Sequence, residues 1–210
     1  MIIGKVQIPA MERKEYSAGA VKLSFWFMEF RKVVGLLNEG KTIDEIKQMN
    51  KDQNIFGAPT TDRSEKIFNT VAARIGCLAP SFYPVFLNSD ISTQKLFALA
   101  AVMANDTLFF DFVFEVIREK MIIGSNEFAD SDLRIFFKNK QVQDEKVAGW
   151  TDATIKRLSG SYKTMLFEAG MTDHGKTVRK INRPILDPLL EHWLDDNGME
   201  QISKAMMGVR

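Results

Sequence analysis

The sequence predicts an all-α fold: a compact multi-helix globule with two helix-turn-helix-like elements, the second winged by a short β-hairpin. Three observations predict it. Apolar residues recur at three- and four-residue spacing along most of the chain. Capping residues and glycines punctuate those runs at helix-like intervals. Only one stretch, after Gly170, offers extended arms around a tight turn.

With 210 residues and 45% hydrophobic content, the chain can bury a core without staples, as one domain or as closely packed smaller ones. Three regions are legible: an N-terminal helical region (1–88), a central helical hairpin (89–130) and a C-terminal winged region (131–210). Sixteen Phe and eleven Met against three Tyr suit helix packing filled by large, adaptable side chains. The single cysteine, Cys77, excludes an intramolecular disulfide, and its apolar setting predicts a buried, inert thiol.

Met1 to Lys5 carry no basic leader followed by an apolar run, so no signal peptide and a cytoplasmic location are expected. The uncharged apolar run Leu96 to Ala104 is far shorter than the roughly 20 residues of a membrane span.

The first strong periodicity is Ser24 to Glu39, with Phe27, Phe30, Val34 and Leu37 on one face and Gly40 as a stop. Thr42-Ile43-Asp44-Glu45 is a capping box that opens a helix to about Asn50. After a loop with Gly57 and Pro59, Asp62 or Ser64 caps a helix with Ile67, Val71 and Ile75 inside. Arg63, Lys66, Asn69 and Arg74 lie elsewhere on it and form a weak, secondary DNA-binding candidate, diluted by Asp62 and Glu65. Ser89-Asp90 precedes the helix Ile91 to Ala104, and an uninterrupted helix from Asp106 to Ile123 is apolar nearly all round, so it belongs at the centre. Asp111 and Glu115 share a face of it, but no His or second carboxylate motif joins them, and Arg118 offers Glu115 an ion pair.

Asp130 or Ser131 caps a helix to Lys140, with Leu133, Phe136 and Phe137 facing the core. Thr151 caps the next, whose buried stripe is Ile155, Leu158, Tyr162, Met165, Leu166 and Ala169 before Gly170. His174-Gly175 then makes a tight turn between extended arms, the one β element that the sequence predicts. Asp187 to Asn197 is helical and acidic, with no Lys or Arg.

Gly-rich phosphate loops, GxSxG elbows, paired metal-spaced His and CxxC pairs are all missing from the sequence, which holds two His, His174 and His192. A protein that is not an enzyme and takes no cofactor or metal is therefore expected. Net charge is +1, so any nucleic-acid surface must be local.

Charge is locally arranged. From Lys138 to Arg183 there are ten Lys or Arg against five Asp or Glu, and the last eight residues hold four of the ten. Lys176, Arg179, Lys180 and Arg183 fall on or beside the hairpin, with Lys156, Arg157 and Lys163 on the helix before it, the order of a winged helix-turn-helix. Thr151 opens that helix, whose N-terminal amides suit a phosphate, and Ser159-Gly160-Ser161 permits close backbone approach. The bland alternative is a solvated basic face that balances the acidic helix.

Several segments together resemble the BrxA family, the small helical core component of bacteriophage exclusion (BREX) defence systems. They are Tyr16 to Gly19, the Phe30-Arg31 to Gly40 helix, Asn54-Ile55-Phe56, Asp106 to Phe112, Val116 to Lys120 and Phe136-Phe137 with Lys140. Val147, Trp150 to Thr154, Lys156, Tyr162, Glu168-Ala169-Gly170 and Pro184 to Pro188 complete the set, which spans most of the chain.

The resemblance implies a helical fold with helix-turn-helix-like elements, double-stranded DNA binding, and work alongside a BREX methyltransferase, an ATPase and a phosphatase-like protein. A helical adaptor that joins defence proteins through an apolar or acidic face is the alternative. RNA binding ranks third, since exposed aromatics that stack unpaired bases are missing.

Overall fold

In the computed structural model, residues 13–210 are described; the leader-free reading of Met1 to Lys5 lies outside them. Helices dominate as predicted. A 3₁₀ turn, Gly19–Lys22, leads into α1 (Phe27–Asn38), whose inner face buries Phe27, Phe30, Val33 and Val34. The Thr42 capping box opens α2 (Ile43–Gln53): the Thr42 hydroxyl accepts from the Glu45 amide while the Glu45 carboxylate accepts from the Thr42 amide. Thr60, not Asp62 or Ser64, caps α3 (Thr61–Ile75). Ser64 is buried instead, and its hydroxyl ties Asn50 to Asn54 at 2.8 and 2.9 Å, locking the corner between α2 and α3.

Next come α4 (Phe82–Asn88), which periodicity left unassigned because it is short, and α5 (Ile91–Asn105), capped by Asp90 and buried from Leu96 to Ala104. The following helix turns off α5 at 113°. It is continuous but not uniform: α6 (Thr107–Phe112) passes through a π turn (Val113–Ile117) into α7 (Arg118–Ile122). No single described helix is long and apolar enough to cross a membrane.

The C-terminal part runs β1 (Glu127–Ala129), α8 (Asp130–Gln143), α9 (Glu145–Ala148), α10 (Asp152–Glu168), β2 (Val178–Lys180), α11 (Pro188–Asp196) and α12 (Glu200–Met207). The expected hairpin is present in part: Thr172 bridges Ile181, the Asn182 amide donates to the Met171 carbonyl at 2.8 Å, and that of Asp173 to Lys180 at 3.1 Å. It is not the sole β element. β2 pairs on its other side with β1, antiparallel, in the register Glu127 to Lys180, Phe128 to Arg179 and Ala129 to Val178. Three residues between Asn126 and Asp130 are too few to display alternation, which is why the sequence reads there as loop and cap.

Two aromatic clusters organise the core. Phe30, Phe82, Phe86 and Phe97 pack with Trp193 of α11, with Phe97 and Trp193 centroids 5.7 Å apart. Beneath the C-terminal sheet, Tyr162 of α10 stacks on Phe112 at 5.6 Å and Phe137 at 5.9 Å, while Phe128 of β1 meets Phe112 edge-on. Sheet and α10 thus share one rigid platform, with edge and offset pairs each adding about 1 kcal/mol beyond burial.

Candidate nucleic-acid interface

The Thr151 hydroxyl accepts from the Thr154 amide at 3.2 Å, fixing the start of α10. Lys156 and Arg157 stand exposed on its next turn. Gly160 follows Lys156 by four residues on the same face, and a Cβ there would meet nothing within 4 Å, so the helix backbone is open to a partner. The same stripe reaches Lys163, where the loop Asp173 to Thr177 docks: the Lys163 ammonium binds Asp130 at 2.7 Å and the Lys176 carbonyl at 3.3 Å.

Arg179 was expected on the surface and is not there. It is 8% exposed, donates to the carbonyls of Lys163 at 2.9 Å and Asp173 at 3.3 Å, and its ionisation falls below the usual arginine range because burial outweighs the charges of Asp173 and Asp130. The strand alternation explains this: Val178 and Lys180 point outward while Arg179, between them, points in. Arg179 and Lys163 therefore hold the loop against α10 rather than greet a phosphate, whereas Lys176, Lys180 and Arg183 are exposed around that loop. The loop itself is tight, because Asp173 Oδ1 accepts from the amides of Gly175 and Lys180, and a Cβ at Gly175 would run into the Val178 carbonyl.

On α3, Arg63, Lys66 and Asn69 are exposed one turn apart. Arg74 is not, at 3% exposure: its guanidinium donates to the Phe25 carbonyl at 2.7 Å and lies over the Trp26 ring, with its pKa lowered to about 10 by burial. It braces Trp26, which holds a left-handed backbone conformation at φ 52°. Seven residues, 54–60, separate α2 from α3, longer than the three or four of a helix-turn-helix. Between α9 and α10 the turn is three residues, 149–151.

A polar cluster that the sequence did not reveal joins the N-terminal segment to α6 and α8. Asp111 takes Arg13 through both oxygens, at 3.0 and 2.8 Å, and accepts from the Tyr16 hydroxyl at 2.6 Å. Lys140 reaches Asp111 at 3.2 Å and Glu115 at 2.7 Å. Burial pushes Asp111 up, but the hydrogen bonds from Arg13 and Tyr16 and the Lys140 charge more than reverse it, leaving its pKa below the ordinary carboxylate range. Lys140 is likewise penalised by burial and ends raised through Glu115 and Asp111. Glu115 thus pairs with Lys140, not with Arg118, which bonds the Val209 carbonyl and lies 3.8 Å over the Phe114 ring. The signal was available: Lys140 falls on the same helical face as Phe136 and Phe137.

Cys77, predicted buried, is half-exposed, with its thiol donating to the Ala73 carbonyl and accepting from the Lys14 ammonium at 3.4 Å. Among the described residues, no group of three or more His, Cys, Asp or Glu is placed to hold a metal ion.

The family model described as BrxA matches residues 14–198. The chain is 40% identical to a BREX protein BrxA of Bacillus cereus (strain H3081.97), over 79% of this chain and 84% of that one. It is 20% identical to a BREX protein BrxA of Paramagnetospirillum magneticum (strain ATCC 700264 / AMB-1), over 88% and 91%. Its fold matches the crystal structure of an uncharacterized protein from Magnetospirillum magneticum with a TM-score of 0.78 at 19% identity, covering 93% of this chain and all of that one.

Proposed function

Since this chain belongs to the BrxA family, we propose that it serves BREX phage defence as a non-enzymatic accessory that binds double-stranded DNA in the cytoplasm, without cofactor, mainly through phosphates. One observation carries this reading: the succession β1, α8, α9, α10, then the paired arms around Gly175, with β2 bonded to β1 on one side and, through the Lys180 carbonyl, to the Asp173 amide on the other. We read this order and pairing as those of a winged helix-turn-helix, which would make α10 the groove-entering helix and the loop Asp173 to Thr177 the wing.

Lys156 and Arg157 on the helix, the Thr151 helix start, and Lys176, Lys180 and Arg183 around the wing are the contacts proposed, with Arg63, Lys66 and Asn69 as a weaker second patch. Lys163 and Arg179 position the wing. Backbone contacts of this kind give affinity with little sequence preference. Work alongside the BREX methyltransferase, ATPase and phosphatase-like protein belongs to the same proposal.

Mobility shifts on duplex DNA, single-stranded DNA and RNA in parallel test it, and duplex is expected to bind tightest. The triple variant Lys176→Ala, Lys180→Ala, Arg183→Ala should flatten the dependence of log affinity on log salt by about one unit per lost contact. Wild-type binding by that variant across the salt series would sink the wing as a contact.

A second reading, a protein adaptor, is favoured by the acidic helix α11, whose Leu189 is solvent-exposed. Reversing the charges of Asp195 and Asp196 would then abolish partner pull-down and leave DNA binding unchanged.

A further inference from the structure

Where the exposed stripe of α10 ends, the surface sinks into a hollow of 690 Å³. Phe167 follows Lys163 by one turn on the face that carries Lys156 and Gly160, and it lines that hollow. It is 40% exposed, an aromatic ring open to solvent that the sequence did not announce. The loop Asp173 to Thr177 reaches it too, since His174 meets its ring edge-on with centroids 4.8 Å apart. Arg63, from the second basic patch on α3, lines the same hollow. The two basic surfaces therefore meet there.

An apolar lining with a few charged groups set into it has the composition of a ligand site. Glu29, Arg63, Lys95 and Glu168 all line this one, and among the described residues none of the four has an ion-pair partner or a side-chain hydrogen bond. Burial and the neighbouring Glu29 charge hold the Glu168 carboxyl above the ordinary carboxylate range, so the two acidic groups share one space. Trp26 also lines the hollow, in its left-handed backbone conformation and with the Arg74 guanidinium over its ring. The indole N–H of Trp193 reaches Ser81 at 3.0 Å, whereas that of Trp26 has no acceptor among the described residues. Strained backbone of this kind persists where the surrounding structure holds it, and it concentrates at ligand clamps.

These groups define the chemistry of what would fill the space. Two carboxylates repel a phosphate and accept hydrogen bonds, so they call for N–H donors. The open ring of Phe167 calls for a flat partner, and the exposed Arg63 guanidinium suits a backbone phosphate. A base that has left a duplex presents all three, and it leaves most readily where it has no pairing partner. Guanine, whose N1–H and 2-amino group stand side by side, matches a carboxylate best, whereas thymine offers one N–H between two carbonyl oxygens.

We propose that this hollow receives one unpaired, amino-bearing base of a DNA duplex whose phosphates lie along α10 and the loop after it. The base stacks on Phe167, its Watson–Crick edge donates to Glu168, and Arg63 takes a flanking phosphate. The proposal rests on the duplex-binding reading above and adds to it a preference for DNA in which a base has lost its partner.

Fluorescence anisotropy of the full chain against four duplexes of one sequence tests it: fully paired, with a single bulged guanine, with a bulged thymine, and with a bulged abasic sugar. The guanine bulge should bind at least about tenfold tighter than the paired duplex, and the thymine and abasic bulges less than about threefold tighter, the difference being what one stacked base contributes. Phe167→Ala and Glu168→Gln should each cut the guanine advantage to about threefold or less, with paired-duplex affinity and circular dichroism as in the wild type. A wild type that binds the paired and guanine-bulged duplexes alike overturns the proposal and leaves the duplex reading intact. An advantage shared by the abasic bulge reports bending of the helix rather than capture of a base, and overturns it as well. So does a guanine advantage that survives both substitutions. Failure to bind any of the four duplexes overturns the duplex reading itself, and this proposal with it.

Discussion

Buried polar groups in this chain divide into those that are compensated and those that are not, and the two kinds respond oppositely to substitution. Asp106 caps α6, accepting from the Phe109 amide at 3.0 Å, yet burial raises its pKa to about 6 despite that amide and the Arg74 charge. A carboxylate raised in the fold lowers stability above its folded pKa and releases that penalty as pH falls from about 6 toward the unfolded value near 4. Asp106→Asn keeps an accepting oxygen and removes the charge. Thermal melts should show it more stable by about 1–2 kcal/mol at pH 7.5, less than full burial would give because the residue as a whole is only half-buried, and the gain should vanish near pH 4. Tyr162 is the second case: its ring is fully buried, burial pushes its ionisation well above that of an ordinary phenol, and its hydroxyl has no partner among the described residues. Tyr162→Phe keeps the stacking and drops an unsatisfied group, so denaturant titration should find it equal to or up to about 2 kcal/mol above wild type. Lys140 and Asp111 are the opposite kind, because removing either partner strands the other's charge inside.

At the level of elements, the loop after Asp173 depends on contacts that its own sequence does not announce. Gly175→Ala would force the Asp173 to Val178 loop open, at a cost of about 1–3 kcal/mol to the local structure. Limited proteolysis should then cut between Asp173 and Lys180 while the helical circular dichroism holds and duplex affinity drops. How far such an element can be read from sequence follows from what fixes it. Thr151 and α10 were legible because capping and a 3.6-residue stripe are local signals, and the arms around Gly175 were legible from turn chemistry. β1 was not, since a three-residue strand is defined by its partner 50 residues away. The inward turn of Arg179 was hidden for the same reason, because strand register decides its face. Arg74 lay at the last turn of α3 and read as surface charge, yet the bend of the chain at Phe25 and Trp26 supplies it with a carbonyl and a ring.

For the molecule as a whole, composition and periodicity sufficed for the all-helical class and for a central apolar helix. The ties that close the structure were beyond reach, because Arg13 and Asp111 stand 98 residues apart and Arg118 and Val209 stand 91 apart. Those two ties share a consequence. The first described residues are anchored at Asp111 and the last at Arg118, two turns along one helix, or roughly 10 Å. Arg13 and Val209 are therefore held near one another on that helix. Rejoining Arg210 to Arg13 through a short flexible linker, and opening new ends at Gly57 between α2 and α3, should give a permuted chain that melts cooperatively with wild-type circular dichroism. A clamp of this kind also means that tension drawn between the two ends would enter the helix spanning Thr107 to Ile122 at Asp111 and leave it at Arg118.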